Sequence, residues 1–245
     1  MPLVLLHGFT GAPSAWDAVV AARPRELAGA RALPLGGHHP ELPPPTSFEA
    51  EVDRLATMIA PASHVAGYSL GARLALGLAV RHPGRVARLT LFGVHPGLVS
   101  EEARASRRRD DERWARLLSE RGVGAFADAW EAEALFAAGL ARASATASAA
   151  VRDRRRAHHP AALASTLRAL SLGVMPVYAL PPLPTLLVAG AEDEKFARLT
   201  LALAGEQVAT HLVAGAGHDL LLEAPATVAD CLANPWSNPW RLSHA

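Results

Sequence analysis

His64-Val65-Ala66-Gly67-Tyr68-Ser69-Leu70-Gly71-Ala72-Arg73 is the stretch on which the fold turns. An apolar run stops at Gly67, one serine sits between Gly67 and Gly71, and Ala72 to Val80 reads as a helix. Strand, G-x-S-x-G, helix is the context of a nucleophile elbow. The turn is so tight that a β-carbon at either glycine would strike neighbouring backbone, while the serine hydroxyl stands above the sheet. The helix that follows aims its free N–H groups at any negative charge developing there.

The flanking sequence repeats the strand–helix alternation. Pro2 to Leu6 and Thr185 to Gly190 are continuous apolar runs, as expected of parallel strands buried on both faces. Arg31 to Leu35 is a weaker strand, Val86 to Phe92 another, and Val208 to Val213 the last. Between them, Ser14 is placed to cap a helix carrying Trp16, Val19, Val20 and Leu27, interrupted near Pro24. Thr46-Ser47-Phe48-Glu49 has capping-box spacing and opens a helix through Ile59. Gly36 to Pro45 is too rich in breakers to be regular. A helix runs from Glu194 through Leu203, and another from about Leu220 to Leu232. From Ser100 to about Leu172 the strand signal vanishes and several Ala- and Arg-rich helices follow, closed by Pro181-Pro182-Leu183-Pro184. The fold class is therefore α/β: a mostly parallel central sheet with helices on both faces. Residues 1–98 and 183–245 form the core, and residues 99–182 a helical lid inserted into it. The tail from Asn234 reads as a surface coil.

Composition excludes several functions. With 24 Lys+Arg against 23 Asp+Glu, the 245 residues carry a formal charge of +1, which argues against generic nucleic-acid binding. No apolar run reaches membrane-spanning length, and Met1 to Leu6 reads as a strand without the basic region of a signal peptide. One cysteine, Cys231, precludes an intramolecular disulfide and fits a cytoplasmic protein.

A serine hydroxyl near neutral pH needs an imidazole, held in the right tautomer by a carboxylate. In chain order Ser, acid, His, the partners of Ser69 are Asp193, just past the Thr185 strand, and His218, in the Gly-Ala-Gly-His turn after the last strand. Glu192 and Glu194 compete with Asp193, whose alternative role is a helix N-cap. His38, His39, His158, His159 and His244 read as solvated, and His64, His82 and His211 as structural. An oxyanion hole would use the N–H of Leu70 and one from the His7-Gly8-Phe9 loop, with Phe9 as second donor.

The arginines bear on the substrate. Arg73 lies one helical turn after Ser69, where a cation opposes the helix dipole and calls for an anion nearby. Arg104, Arg107 and Arg108 share a helix face below Trp114, and Arg152 to Arg156 hold a second cluster. Singly, most read as solvated charges paired with Glu101, Glu102, Asp110 or Asp111. Together they suit a small, multiply anionic substrate.

These motifs resemble the SHCHC synthases of menaquinone biosynthesis, the MenH family of the α/β-hydrolase superfamily. The likeness runs from Leu5-Leu6-His7-Gly8-Phe9-Thr10-Gly11 to Gly215-Ala216-Gly217-His218. It includes Val94-His95-Pro96-Gly97-Leu98, Asp111-Glu112-Arg113-Trp114, Phe126-Ala127-Asp128-Ala129-Trp130, Leu167-Arg168-Ala169-Leu170-Ser171-Leu172-Gly173 and Gly190-Ala191-Glu192-Asp193-Glu194-Lys195-Phe196. Ala72 and His159 stand where that family often has glycine and asparagine. The resemblance implies a lyase that eliminates pyruvate from the tricarboxylate SEPHCHC to leave SHCHC, with no metal or cofactor. It implies Ser69, Asp193 and His218 as catalytic residues, Phe9 and Leu70 as oxyanion donors, and Arg73, Arg107 and Arg155 as carboxylate contacts. Arg155 is taken from its cluster by its spacing to Pro160; Tyr68 and Trp130 would line the pocket. A monomer or weak homo-oligomer is expected. The other readings are a hydrolase of a small anionic ester or thioester and a non-catalytic ligand-binding protein of the same fold.

Overall fold

Val4, Leu5 and Leu6 are all buried because successive side chains of one strand enter two different cores, Val4 and Leu6 on one face and Leu5 on the other. The computed structural model describes residues 1–234, so the sequence beyond Asn234, including His244, lies outside the described residues. Six strands form one sheet: β1 (Leu3–Leu6), β2 (Arg31–Leu33), β3 (Ser63–Tyr68), β4 (Val86–Phe92), β5 (Thr185–Gly190) and β6 (Val208–Val213). Their order is β2-β1-β3-β4-β5-β6, and every pairing is parallel. Parallel strands put all their C-terminal ends at one edge, so the segments after β3, β4, β5 and β6 meet there.

On one face, α2 (Phe48–Met58) and α3 (Leu70–Arg81) pack Phe48, Val52, Leu55, Leu74 and Leu78 against Val4, Leu6, Val65 and Leu89. On the other, α1 (Asp17–Ala22), α9 (Leu220–Glu223) and α10 (Pro225–Ala233) cover Leu5, Ala66, Phe92 and Val188. Helix α8 (Glu194–Ala202) follows β5. Between β4 and β5 come α4 (Glu101–Glu131), α5 (Ala134–Arg142), α6 (Ala145–Arg156) and α7 (Pro160–Ala169). They enclose their own small core of Ala115, Leu118, Phe126, Leu163 and Leu167. Helix α4 is broken at Gly122, whose φ of 76° lies in the left-handed region.

Most local signals were legible to within a residue or two, but the helix expected to carry Leu27 ends at Ala22 and Leu27 lies in the turns that follow. Ser47, not Thr46, caps α2, its hydroxyl accepting the Ala50 N–H at 3.1 Å. Ser14 caps nothing; it lies inside a 3-10 turn, Pro13–Trp16, that leads into α1. The C-terminal helix divides at Ala224 because Pro225, lacking an N–H, starts a new helix there.

Two histidines expected in solvent are buried. His38 and His158 lie with His7 in a row of rings, at centroid distances of 5.2 and 5.4 Å. His158, between α6 and α7, donates from Nε2 to the Thr10 carbonyl at 3.1 Å, and the Thr10 N–H donates to His38 Nε2 at 3.3 Å. The row thus ties the inserted helices to the loop after β1. Burial is the main cause holding all three below the usual histidine value, His7 at about 3. Long-range docking, invisible in a Gly- and Pro-rich loop, produced this burial.

Candidate active site

Ser69 joins β3 to α3 with φ 52° and ψ −108°, a conformation costly for a residue with a side chain. Two close approaches hold it there. A β-carbon on Gly67 would come within 2.2 Å of the Gly71 carbonyl oxygen, and one on Gly71 within 2.2 Å of that of Leu6. The Ser69 N–H donates to the Phe92 carbonyl at 2.8 Å, which fastens the elbow to the end of β4.

His218, 3% exposed in the loop after β6, places Nε2 3.2 Å from the Ser69 hydroxyl oxygen. Its Nδ1 lies 2.7 Å from Asp193 Oδ2. A carboxylate oxygen accepts, so Nδ1 carries the hydrogen and Nε2 presents its lone pair to the Ser69 O–H. Asp193 does two jobs at once: Oδ2 faces the imidazole while Oδ1 accepts the Phe196 N–H at 3.3 Å and caps α8. Glu192 and Glu194 are exposed. The His218 ring is boxed in by Phe196, Tyr68 and Phe136, at centroid distances of 4.6, 5.5 and 6.0 Å.

These groups open on a cavity of about 370 Å³ between the sheet edge and the inserted helices. That volume suits a small molecule. Phe9, Tyr68, Leu70, Arg73, Arg107 and Trp130 line it. The Phe9 ring packs on Trp130 at 5.7 Å and Phe126 at 6.3 Å, so this loop meets the inserted helices directly. Leu70 is the first residue of α3, whose opening N–H groups have no intrahelical acceptor.

Arg73, Arg107 and Lys195 share the cavity wall with the carboxylates Asp110, Asp111 and Glu133. Arg73 donates from Nη1 to the Leu170 carbonyl at 2.8 Å. Burial, then the facing Arg107, push its pKa from 12.5 down to about 9. Arg107 spends only its Nε on Asp111, 2.9 Å from both carboxylate oxygens of that buried side chain. Two residues outside the expected set join them. Lys195 is lowered by partial burial and then by Arg107; His95 is lowered to about 4 by burial and then by Lys195, Arg73 and Arg107. A cavity wall on which burial and the nearby Arg107 lower both Arg73 and Lys195 is organised for a bound anion. Lys195 carried the same signal as Arg73, a cation in the first turn of a helix that starts at the sheet edge.

Other arginines are placed differently. Arg104 and Arg108 donate to the Met175 and Gly173 carbonyls at 2.9 and 3.0 Å, holding α4 against the return segment. Arg155 is not on the cavity wall. It is buried behind Phe136, with its guanidinium 5.2 Å from that ring, Nη1 3.5 Å from Glu131 and Nη2 4.0 Å from Asp219. Arg152 and Arg156 pair with Glu131, the latter also with Asp128. Among the described residues, no group of three or more His, Cys, Asp or Glu is arranged to hold a metal ion, and no helix is long and apolar enough to cross a membrane.

Comparison with known proteins agrees with this fold. Residues 3–231 match the alpha/beta hydrolase family. The chain is similar to 2-succinyl-6-hydroxy-2,4-cyclohexadiene-1-carboxylate synthase of Enterobacter sp. (strain 638), with 32% identity over 94% of this chain and 90% of the relative. The synthase of that name from Salmonella typhimurium (strain LT2) is 35% identical over 94% of this chain and 92% of its own. Among solved structures, MenH from S. aureus superimposes with a TM-score of 0.85 at 23% identity, over 95% of this chain and 91% of that one. A thermophilic esterase from Thermogutta terrifontis shares the fold at a TM-score of 0.73 and 21% identity, over 95% and 88%.

Proposed function

The chain belongs to the alpha/beta hydrolase family and, within it, to the 2-succinyl-6-hydroxy-2,4-cyclohexadiene-1-carboxylate (SHCHC) synthases, and on that footing we propose how its cavity works. The reaction is the elimination of pyruvate from SEPHCHC, a lyase step of menaquinone biosynthesis. The observation that carries the reading is the Ser69–His218–Asp193 line opening on a cavity walled by Arg73, Arg107 and Lys195. His218, oriented by Asp193, draws the Ser69 proton, and Ser69 acts as the base on an activated ring C–H of the substrate. The N–H groups of Leu70 and Phe9 stabilise the negative charge that develops on the adjoining carbonyl oxygen. The ring then forms its new double bond, the C–O bond to the enolpyruvyl group breaks, and that group leaves with the abstracted proton as pyruvate. No water is consumed.

Arg73 and Arg107 hold carboxylates of a tricarboxylate substrate, Lys195 adds a third cation, and Tyr68 and Trp130 flank the ring. Arg155 contributes through Phe136 and Asp219. The inserted helices, residues 99–182, serve as a lid over the core of residues 1–98 and 183–245. A small anionic substrate and a single buried thiol, Cys231, suit the cytoplasm, and the chain works as a monomer or weak homo-oligomer.

The same serine–histidine alignment would serve a hydrolase of a small anionic ester, so the test sets the two side by side. Purified protein is given SEPHCHC, with pyruvate release followed, and in parallel a panel of activated esters. Pyruvate release abolished by Ser69→Ala supports the proposal. Rapid ester turnover without pyruvate would overturn it.

A further inference from the structure

Glu223, at the end of α9, is a carboxylate with a side chain only 5% exposed. It lies beside the loop that carries His218. One oxygen accepts the Gly217 N–H at 3.0 Å and the other the Asp219 N–H at 3.2 Å, so the two amides flanking His218 hang on one side chain. A carboxylate this buried requires a counter-charge. Arg142, the last residue of α5 in the inserted block, supplies it, with Nη2 2.5 Å from Glu223. The other arm of the same guanidinium, Nη1, lies 2.8 Å from Glu192, the residue directly before Asp193. The fork thus spans the loop that carries the acid and the loop that carries the imidazole. The fit is close: a β-carbon on Gly139 of α5 would come within 2.6 Å of the Glu223 carboxylate, and one on Gly217 within 3.1 Å.

We propose that Arg142 is a positioning residue, which bridges Glu192 and Glu223 and so aligns Asp193 with His218 only while the inserted helices are seated on the core. Arg142 stands outside the cavity wall, so it acts on the reaction through the two loops and not on substrate. An exposed ion pair alone would contribute little, and the Glu192 arm is of that kind. The Glu223 arm differs, because losing Arg142 leaves a buried charge unpaired at the point from which the His218 loop is hung. A lysine keeps the charge but reaches one carboxylate at a time. The inference rests on the reading of Ser69, His218 and Asp193 as one catalytic unit, and not on the identity of the substrate.

The test compares the unsubstituted chain with Arg142→Ala and Arg142→Lys, well below their unfolding temperatures. Each is reacted with a fluorophosphonate probe, which reports Ser69 activation without the cavity arginines, and is assayed for kcat and KM with SEPHCHC. Misplacement of a catalytic group by about 1 Å costs on the order of 100-fold, so Arg142→Ala should label Ser69 and turn over roughly 10- to 100-fold more slowly. KM should stay within about two-fold, and Arg142→Lys should fall between the two. Labelling of folded Arg142→Ala at the unsubstituted rate, or a raised KM with unchanged kcat, would overturn the proposal. Failure of the unsubstituted chain to label at Ser69 would instead overturn the catalytic reading, and this inference with it.

Discussion

Arg73→Met should make the enzyme worse and the protein more stable. The folded chain lowers the Arg73 pKa from 12.5 to about 9, which corresponds to at most about 5 kcal/mol for holding that cation where it is. Methionine keeps much of the apolar stem but gives up the 2.8 Å bond to the Leu170 carbonyl, a loss of about 1–3 kcal/mol. After a discount for the partial exposure of the guanidinium, a net gain of about 2 kcal/mol remains. For a chain of this size that raises the unfolding temperature by about 4–8 °C. In the opposite direction, a charge-assisted contact to a substrate carboxylate is worth about 1.5–3 kcal/mol, so kcat/KM should fall about 10- to 150-fold. Pyruvate release from SEPHCHC measures the second effect and calorimetry of the ligand-free protein the first. Unchanged kcat/KM together with an unchanged or lower unfolding temperature would refute the view of Arg73 as a destabilising, anion-seeking cation.

Asp111→Asn should release Arg107 from its two-oxygen grip and raise KM about 10-fold while leaving kcat nearly intact, checked by steady-state kinetics. Because Arg73 and Lys195 are both held below their usual values, each loses charge at a lower pH than a free side chain; KM should therefore climb with rising alkaline pH, and Lys195→Met should make that climb smaller. His7 and His64, each lowered to about 3 mainly by burial, bind a proton in the unfolded chain near pH 6.5 and in the folded chain only near 3. Their stability contribution is complete above pH 6.5 and is lost as pH falls; at pH 5 each removes about 2 kcal/mol, opposed in part by Asp219, whose carboxyl burial raises. Urea unfolding at pH 7 and pH 5 checks this: the midpoint should drop sharply, and His64→Gln should drop less.

The amino-acid sequence by itself determined the sheet, the elbow and the chain order of Ser69, Asp193 and His218. Each of these is written within a few neighbouring positions. Buried strands read as unbroken apolar runs such as Leu186-Leu187-Val188, and a β-carbon on Gly67 or Gly71 would come within 2.2 Å of neighbouring backbone. Asp193 and His218 follow from where their strands end. The tertiary structure alone decided which cations matter to the cavity. Arg104, Arg107 and Arg108 share one helix face, yet the return segment takes the first and last of them for its carbonyls and leaves Arg107 to the cavity. Arg155 is turned away behind Phe136, while Lys195 is brought in by the start of α8. The buried histidine row and the Arg142–Glu223 contact join residues 28 to 148 positions apart. No local pattern encodes such meetings, because they depend on how four inserted helices dock on loops contributed by distant strands.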